Sequence, residues 1–445
     1  MELKNKKVLQ MGLGILGGGT ATAKWLLEQG AILTITDLKD SKHLQPSLEK
    51  LESFKNKINF VLGTHREKDF LENDIIVINP DVPADNRFVQ LAKEAGKQIE
   101  NELTLFYKFC PSRKIVAVTG TRGKTTTVNW IAHFLKYKNP DTLIIGNSPK
   151  NPFLQEIKKC NENTDIVIEA PSFQLEICDK SEFAPHIAVI TNLYQDHINR
   201  HKSMEGYAEA KGNIFKHQTK DDFLILNKDN EWTKFFLAQK PKSKVLFSSA
   251  EELIVDKDEF VKLWGTHNLQ NLAVASLTAL TLGVSTEEIK KQIANLPQIK
   301  FRQEKVFDNG QLQIYNDTTA TSPEALTAAM ARFLPAEETV VFISGGTDRE
   351  LEFKPWSETA INLIKPENLI LLSGSATEKM KRELGWDSFN EFDNLEECFK
   401  KALEIIENKN GSKIIFSPGA KSFEKFKNEF DRGEQFNLLV NQLLK

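Results

Sequence analysis

One pattern returns along the whole chain: a short apolar run, a glycine turn, then a helical stretch. It opens at residues 6–37, "KKVLQMGLGILGGGTATAKWLLEQGAILTITD", and returns at 116–130, "VAVTGTRGKTTTVNW". From Phe301 onward the runs "LQIYND", "TVVFISGG", "LILLSG" and "KIIFSP" repeat it between helical stretches. Apolar strands alternating with helices predict mostly parallel sheets with helices packed on them, so the fold class is α/β.

The chain has 445 residues, and at roughly 150 residues per domain about three domains are expected. Pro111-Ser112-Arg113 reads as a hinge, and proline breaks a helical pattern in "IANLPQIK", Ile293 to Lys300. The expected domains are 1–111, 112–300 and 301–445. The first contains the strands ending at Met11 and Asp37 and the runs "DIIVINP" and "KQIEN". The second adds "DTLIIG", "TDIVIEA", "HIAVITN" and "DFLILN" after the strand at Val116.

The composition excludes several classes of function. Lys and Arg number 58 against 61 Asp and Glu, a net charge of −3 with no basic block, which argues against nucleic acid or an anionic membrane as partner. No apolar run approaches the ~20 residues that cross a bilayer. The N-terminus enters a strand directly, so no signal peptide is expected. Cys110, Cys160, Cys178 and Cys398 are far apart in sequence and form no CxxC pair, which fits a reducing cytoplasm.

Two glycine turns carry the chemistry. Gly12-x-Gly14-x-x-Gly17 follows a strand, opens a helix and has an acid, Asp37, about 20 residues on. Its spacing fits a dinucleotide, a UDP-sugar or a plain strand–helix turn. The second turn, Thr119-Gly120-Thr121-Arg122-Gly123-Lys124-Thr125-Thr126, lacks the first glycine of the usual phosphate loop because Val118 stands there. The lysine and hydroxyls remain. Amides at a helix start attract a polyanion; Lys124 would meet the β- and γ-phosphates, and Thr125 would ligate Mg²⁺.

Other polar residues sit where such a site needs them. Glu169 ends the strand of "TDIVIEA", and ligands bind at the carboxyl ends of strands in α/β sheets, although a cap or a buried ion pair would also suit a glutamate there. "NLYQDHINRH" places Asp196, His197, Arg200 and His201 just after another strand. Lys211, in "YAEAKGNIF", reads by itself as a surface lysine.

In order along the chain, "GLGILG", "TGTRGKTT", "EAPSFQLE", "NLYQDHINRHKSMEGYAEAKGNIF", "GTHNLQN", "FRQE", "YNDTTAT" and "SPGAKSFEKFKNEFDRGEQF" resemble the Mur ligases. The resemblance implies three domains: a Rossmann-like N-terminal one, a central P-loop ATPase-like one, and a Rossmann-like C-terminal one. It also implies an ATP-dependent amide ligase that adds D-glutamate to UDP-N-acetylmuramoyl-L-alanine through an acyl phosphate, as a cytoplasmic monomer. Thr125 and Glu169 would hold one Mg²⁺; His197 and a carbamylated Lys211 would hold a second. Gly120 to Thr126, with Asn268, Asn271, Arg302 and Asp317, would bind ATP. Gly14, Ile15, Leu16, Asp37, Asn147 and Gln174 would bind the UDP substrate, and Thr321, Arg349 and Ser422 the amino acid.

The chain departs from the family pattern at several places. Thr319 replaces a lysine near the incoming glutamate, Arg349 keeps a cation after "GGTD", and Arg122 replaces an asparagine beside the phosphates. Leu16, Asp81 and Pro171 replace a hydroxyl residue, a glycine and a serine, and "GNSPKN" stands for "GNIG". Readings left open at this point are a ligase for L-glutamate or another amino acid, a dinucleotide-binding oxidoreductase, and an inactive binding paralogue.

Overall fold

The run Ile115–Thr119 is buried along its whole length, as expected of a strand inside a sheet covered on both faces. In the computed structural model, which describes residues 2–15, 17–146, 152–253, 255–334, 338–407 and 409–444, it is a central strand of the second of three sheets. The first sheet comprises β1 (Lys7–Met11), β2 (Ile32–Asp37), β3 (Ile58–Leu62), β4 (Ile75–Ile78) and β5 (Gln98–Glu100). Their order is β3-β2-β1-β4-β5 and every pair is parallel.

The second sheet comprises β6 (Ile115–Thr119), β7 (Leu143–Gly146), β8 (Ile166–Glu169), β9 (Ile187–Ile190), β10 (Phe223–Asn227) and β11 (Lys244–Ser248). Its order, β11-β10-β9-β6-β8-β7, is again parallel throughout. In the third, β12 (Glu304–Asp308) is antiparallel to β13 (Leu312–Asn316). The parallel remainder is β14 (Val340–Gly345), β15 (Leu369–Leu372), β16 (Asn390–Phe392) and β17 (Ser412–Phe416), giving the order β12-β13-β17-β14-β15-β16. In the first sheet the strand order reverses at β1, and the crevice beyond that carboxyl end is where ligands bind in open α/β sheets.

The chain forms two compact units, Met1–Leu253 with Gln270–Leu296, and Ile254–Leu269 with Pro297–Lys445. The first two sheets lie in the first unit. They share one apolar cluster, which runs from Leu26 and Phe106 to Phe153 and Phe183, with the rings of Phe106 and Phe153 5.7 Å apart. The join is polar as well as apolar. Asn101 caps the helix Glu102–Phe109 reciprocally with Thr104 and also donates its side-chain amide to Gln174 O at 2.8 Å. In the second unit two clusters cover the two faces of the third sheet, one around Phe342 and Trp356, the other around Phe399 and Phe436. All four cysteines are free, and the Cys160 thiol donates to Glu156 O at 3.4 Å. Among the described residues no helix is long and apolar enough to cross a membrane.

Candidate functional site

The chain leaves β6 through Gly120, whose φ is +144°. A Cβ there would lie 2.0 Å from Thr191 Oγ1, so only glycine lets the turn lie flat against the exit of β9. That exit holds the turn by its polar atoms. Asn192 O accepts from Thr121 N–H at 3.0 Å, Asn192 Oδ1 from Arg122 N–H at 2.8 Å, and Thr191 Oγ1 donates to Arg122 O at 2.7 Å. Gly123, at φ +81°, then starts the helix Lys124–Lys138 in the left-handed region, where a Cβ would meet Asn271 Oδ1 at 2.0 Å. Thr191 and Asn192 were missed by sequence reasoning; their signal was two polar residues closing the apolar run "IAVI".

Three cationic or metal-seeking groups converge on this turn. Lys124 Nζ donates to Gly120 O at 3.1 Å and Thr121 O at 3.2 Å. Thr125 Oγ1 donates to Glu169 Oε2 at 2.8 Å, which the neighbouring registers of β6 and β8 bring about. Lys211, on the helix Met204–Gly212, reaches the same loop: its Nζ lies 2.9 Å from Gly120 O and 4.5 Å from the centre of the Tyr207 ring. Lys211 is only 1% exposed. Burial, helped by the Lys124 charge, drives its ammonium well below the usual lysine range, while Asp196 and Glu169 pull the other way. The expectation of a surface lysine from its local sequence alone is therefore corrected: the helix turns it inward, onto Gly120.

His197 opens a short helix in the left-handed region at φ +53°. Its ring stands edge-on to Phe173 at 4.8 Å and to Tyr207 at 6.0 Å, and Tyr207 OH is 3.4 Å from Thr121 Oγ1. His201, its neighbour in the motif, is held by Ser172 Oγ at 3.0 Å; burial lowers its pKa to about 4. Arg122 pairs with Asp196 at 3.5 Å. Arg200 is structural: it grips both oxygens of Glu176 at 2.8 Å and the carbonyls of Asp81 and Val82 at 3.1 and 3.0 Å, tying the first sheet's loop to the second. Among the described residues, no three His, Cys, Asp or Glu side chains gather around one point. A divalent ion here would take oxygen from Thr125 and Glu169, a hydroxyl and a carboxylate already in contact, with phosphate oxygens completing the shell.

The first glycine turn is built differently. Asp37 Oδ2 accepts from the N–H groups of Leu13 and Gly14 at 2.9 and 3.2 Å, and Oδ1 from Lys39 N–H at 2.9 Å. Close approach to the helix is made at Gly19, where a Cβ would lie 2.1 Å from Leu13 O, whereas Gly17 has nothing within 4 Å. Ile15 is exposed at the tip. Gln174 is 1% exposed, and its Oε1 is buried without a hydrogen-bond partner. Leu16 and Asn147 lie outside the described residues.

Within the first unit, Asn271 Oδ1 sits 3.4 Å from Thr127 Oγ1, beside Gly123. The second unit holds the other expected ATP residues. Asn268 donates to Trp264 O at 2.7 Å. Asp317 accepts from Ser417 Oγ at 2.9 Å and Gln303 N–H at 3.1 Å; burial lifts its pKa to about 7, against the pull of Arg302. The expected amino-acid residues lie on the loops after β13, β14 and β17. Thr321 Oγ1 meets Lys421 Nζ at 3.1 Å, Arg349 lies over the Phe423 ring at 4.4 Å, and Ser422 Oγ is buried without a partner.

Comparison with known proteins bears on all of this. Residues 118–279 match the Mur ligase middle domain, and residues 6–101 match the Mur ligase MurD-like N-terminal domain. The chain is 36% identical over 474 residues to the UDP-N-acetylmuramoylalanine–D-glutamate ligase of Roseiflexus sp. (strain RS-1), with 99% of each chain covered. It is 34% identical over 465 residues to the protein of the same name from Clostridioides difficile (strain 630), with both covered fully, at 100%. Among solved structures it is similar in fold to the UDP-N-acetylmuramate-alanine ligase MurC of Thermotoga maritima (TM-score 0.57, 18% identity, 98% of this chain and 100% of that one). MurF of Acinetobacter baumannii is another structure of like fold (TM-score 0.61, 14% identity, 92% of this chain and 90% of that one).

Proposed function

The chain belongs to the Mur ligase family, and from that premise we propose how its residues divide the work. The protein is an ATP-dependent amide ligase that adds D-glutamate to UDP-N-acetylmuramoyl-L-alanine in peptidoglycan synthesis. A carboxylate does not condense with an amine at neutral pH, because oxide is a poor leaving group. The alanyl carboxylate therefore attacks the γ-phosphorus of ATP, releasing ADP and leaving an acyl phosphate. The glutamate amine then adds to that carbonyl, and inorganic phosphate departs from the tetrahedral adduct.

In this reading the turn Gly120 to Thr126 cradles the triphosphate, and Lys124 swings from its own loop carbonyls onto the β- and γ-phosphates. Thr125 and Glu169 hold one Mg²⁺, and His197 and a carbamylated Lys211 hold another. Bound Mg²⁺ neutralises the charge that builds on the transferred phosphoryl group. The observation that carries this is the meeting of Lys124 and Lys211 at Gly120 O, directly beside the Thr125–Glu169 contact. An ammonium at Lys211 would repel a metal. Burial favours the neutral amine over the ammonium, and a neutral amine can add to carbon dioxide, losing a proton to become an anionic oxygen ligand.

The first glycine turn, with Gly14, Ile15, Leu16, Asp37, Asn147 and Gln174, takes the uridine diphosphate part rather than NAD. Residues 1–111, 112–300 and 301–445 serve UDP substrate, ATP and amino acid in turn, in a cytoplasmic monomer. The test is ADP release with UDP-N-acetylmuramoyl-L-alanine and a panel of amino acids. Turnover is expected with D-glutamate and not with L-glutamate; turnover with L-glutamate alone overturns the stereochemical assignment, and none with any amino acid overturns the ligase.

A further inference from the structure

Lys421 has no part in the residue assignments above, yet the fold holds its backbone from several sides. Its N–H and C=O pair with Thr347 at 3.1 and 2.9 Å, so the loop after β17 lies antiparallel against the loop after β14. On the other side Gly419 N–H donates to Ala320 O at 2.9 Å, joining it to the loop after β13. The guanidinium of Arg432, itself fully buried, donates to Lys421 O at 3.1 Å, Ala420 O at 3.1 Å and Thr318 O at 2.8 Å. Three loops at the carboxyl edge of one sheet are thereby fixed, at the kind of place where α/β sheets bind ligands.

The side chains that emerge there suit an anion. Lys421 Nζ is 3.1 Å from Thr321 Oγ1. Ser422 is 3% exposed, and its hydroxyl is buried without a hydrogen-bond partner; a buried hydroxyl left unpaired costs free energy that a ligand oxygen would recover. Arg349 adds a second cation from the loop after β14. Of the nearby acids, Asp348 pairs with Lys379 at 2.5 Å, and Glu424 accepts from Ser375 N–H at 3.0 Å. Thr319 contributes no charge and directs its hydroxyl to Phe301 O at 2.7 Å.

We propose that Lys421 receives a carboxylate of the incoming amino acid, with Thr321 and Ser422 donating to the same group, and so helps to select an acidic substrate. The identity of that ligand depends on the ligase reading above. The experiment compares Lys421→Met and Lys421→Arg with the natural protein at saturating ATP and UDP substrate. Lys421→Met is expected to raise KM for D-glutamate roughly ten- to hundredfold, the loss of one hydrogen bond to a charged group. KM for ATP and for the UDP substrate stays unchanged, and the preference for D-glutamate over D-glutamine falls in step. Lys421→Arg restores most of the loss, and it decides the matter should the methionine variant fail to fold. An unaltered KM for D-glutamate, or a rise in all three KM values together, overturns the proposal while leaving the ligase intact. A natural protein that releases no ADP with any amino acid overturns both.

Discussion

Two turns in the first unit start from the same plan, a buried strand, glycines in the left-handed region, then a helix, and end with opposite electrostatics. After β1, the amides of Leu13 and Gly14 are occupied by the chain's own carboxylate, Asp37. After β6, the turn is held from the side by Asn192 and Thr191, and two lysines lean on its carbonyls. A helix start therefore does not by itself say which anion it binds. What decides is whether the fold supplies a carboxylate of its own or gathers cations where phosphates would lie.

The largest effect should come from removing a cation of the second turn. Lys124→Met is expected to lower kcat for ADP release by roughly 10²–10³-fold, the usual cost of deleting one charge-stabilising donor. The variant should unfold at nearly the same urea concentration as the natural protein, because the two hydrogen bonds lost are only part-buried and Gly120 O keeps its bond to Lys211. Near-normal turnover would break the comparison, leaving the second turn no more a triphosphate site than the first.

Next come the glycines. Gly123→Ala faces both a strained φ of +81° and a contact of 2.0 Å with Asn271 Oδ1, whereas Gly17→Ala faces the strain alone, at φ +105° with nothing within 4 Å. The expected loss of stability is roughly 2–3 kcal/mol for the first and about 1 kcal/mol for the second. Urea unfolding midpoints of the full chain measure the difference. Equal losses would mean that Asn271 moves aside at little cost, and that its place against the second turn is not what fixes that turn.

How much of this was legible beforehand follows from burial. The strands that apolar runs announced include every interior strand of the three sheets. The four they did not announce, β3, β11, β12 and β16, are all at sheet edges. For two of them the pattern explains it: β12, "EKVFD", and β16, "NEF", contain no fully buried residue, and such short mixed runs look like loop. The site divides in the same way. Thr125 and Glu169 could be paired from their places, one at a helix start and the other at a strand end. Lys211 was marked only by family resemblance, since its helix shows no sharp apolar face to say which way a lysine turns. Lys421 gave no signal, because its meeting with Thr321 depends on β17 lying beside β13, a pairing of strands remote in sequence. The fingerprint's third glycine was also misleading, since Gly19 and not Gly17 makes the close approach to Leu13.

The smallest expected effect sharpens the comparison from the other side. Asp37 Oδ2 accepts from Leu13 and Gly14 while Oδ1 accepts from Lys39. In Asp37→Asn one oxygen can keep the first two bonds, but the side-chain NH₂ then faces the Lys39 N–H, donor against donor. One hydrogen bond and the negative charge are lost, for a net cost of about 1 kcal/mol. If the first turn serves only the UDP substrate, that cost should emerge as a rise of about fivefold in KM for it, with kcat and KM for ATP unchanged. A matching rise in KM for ATP would mean that the two turns, though built on separate sheets, are coupled through the shared apolar cluster and the Arg200 clamp between them.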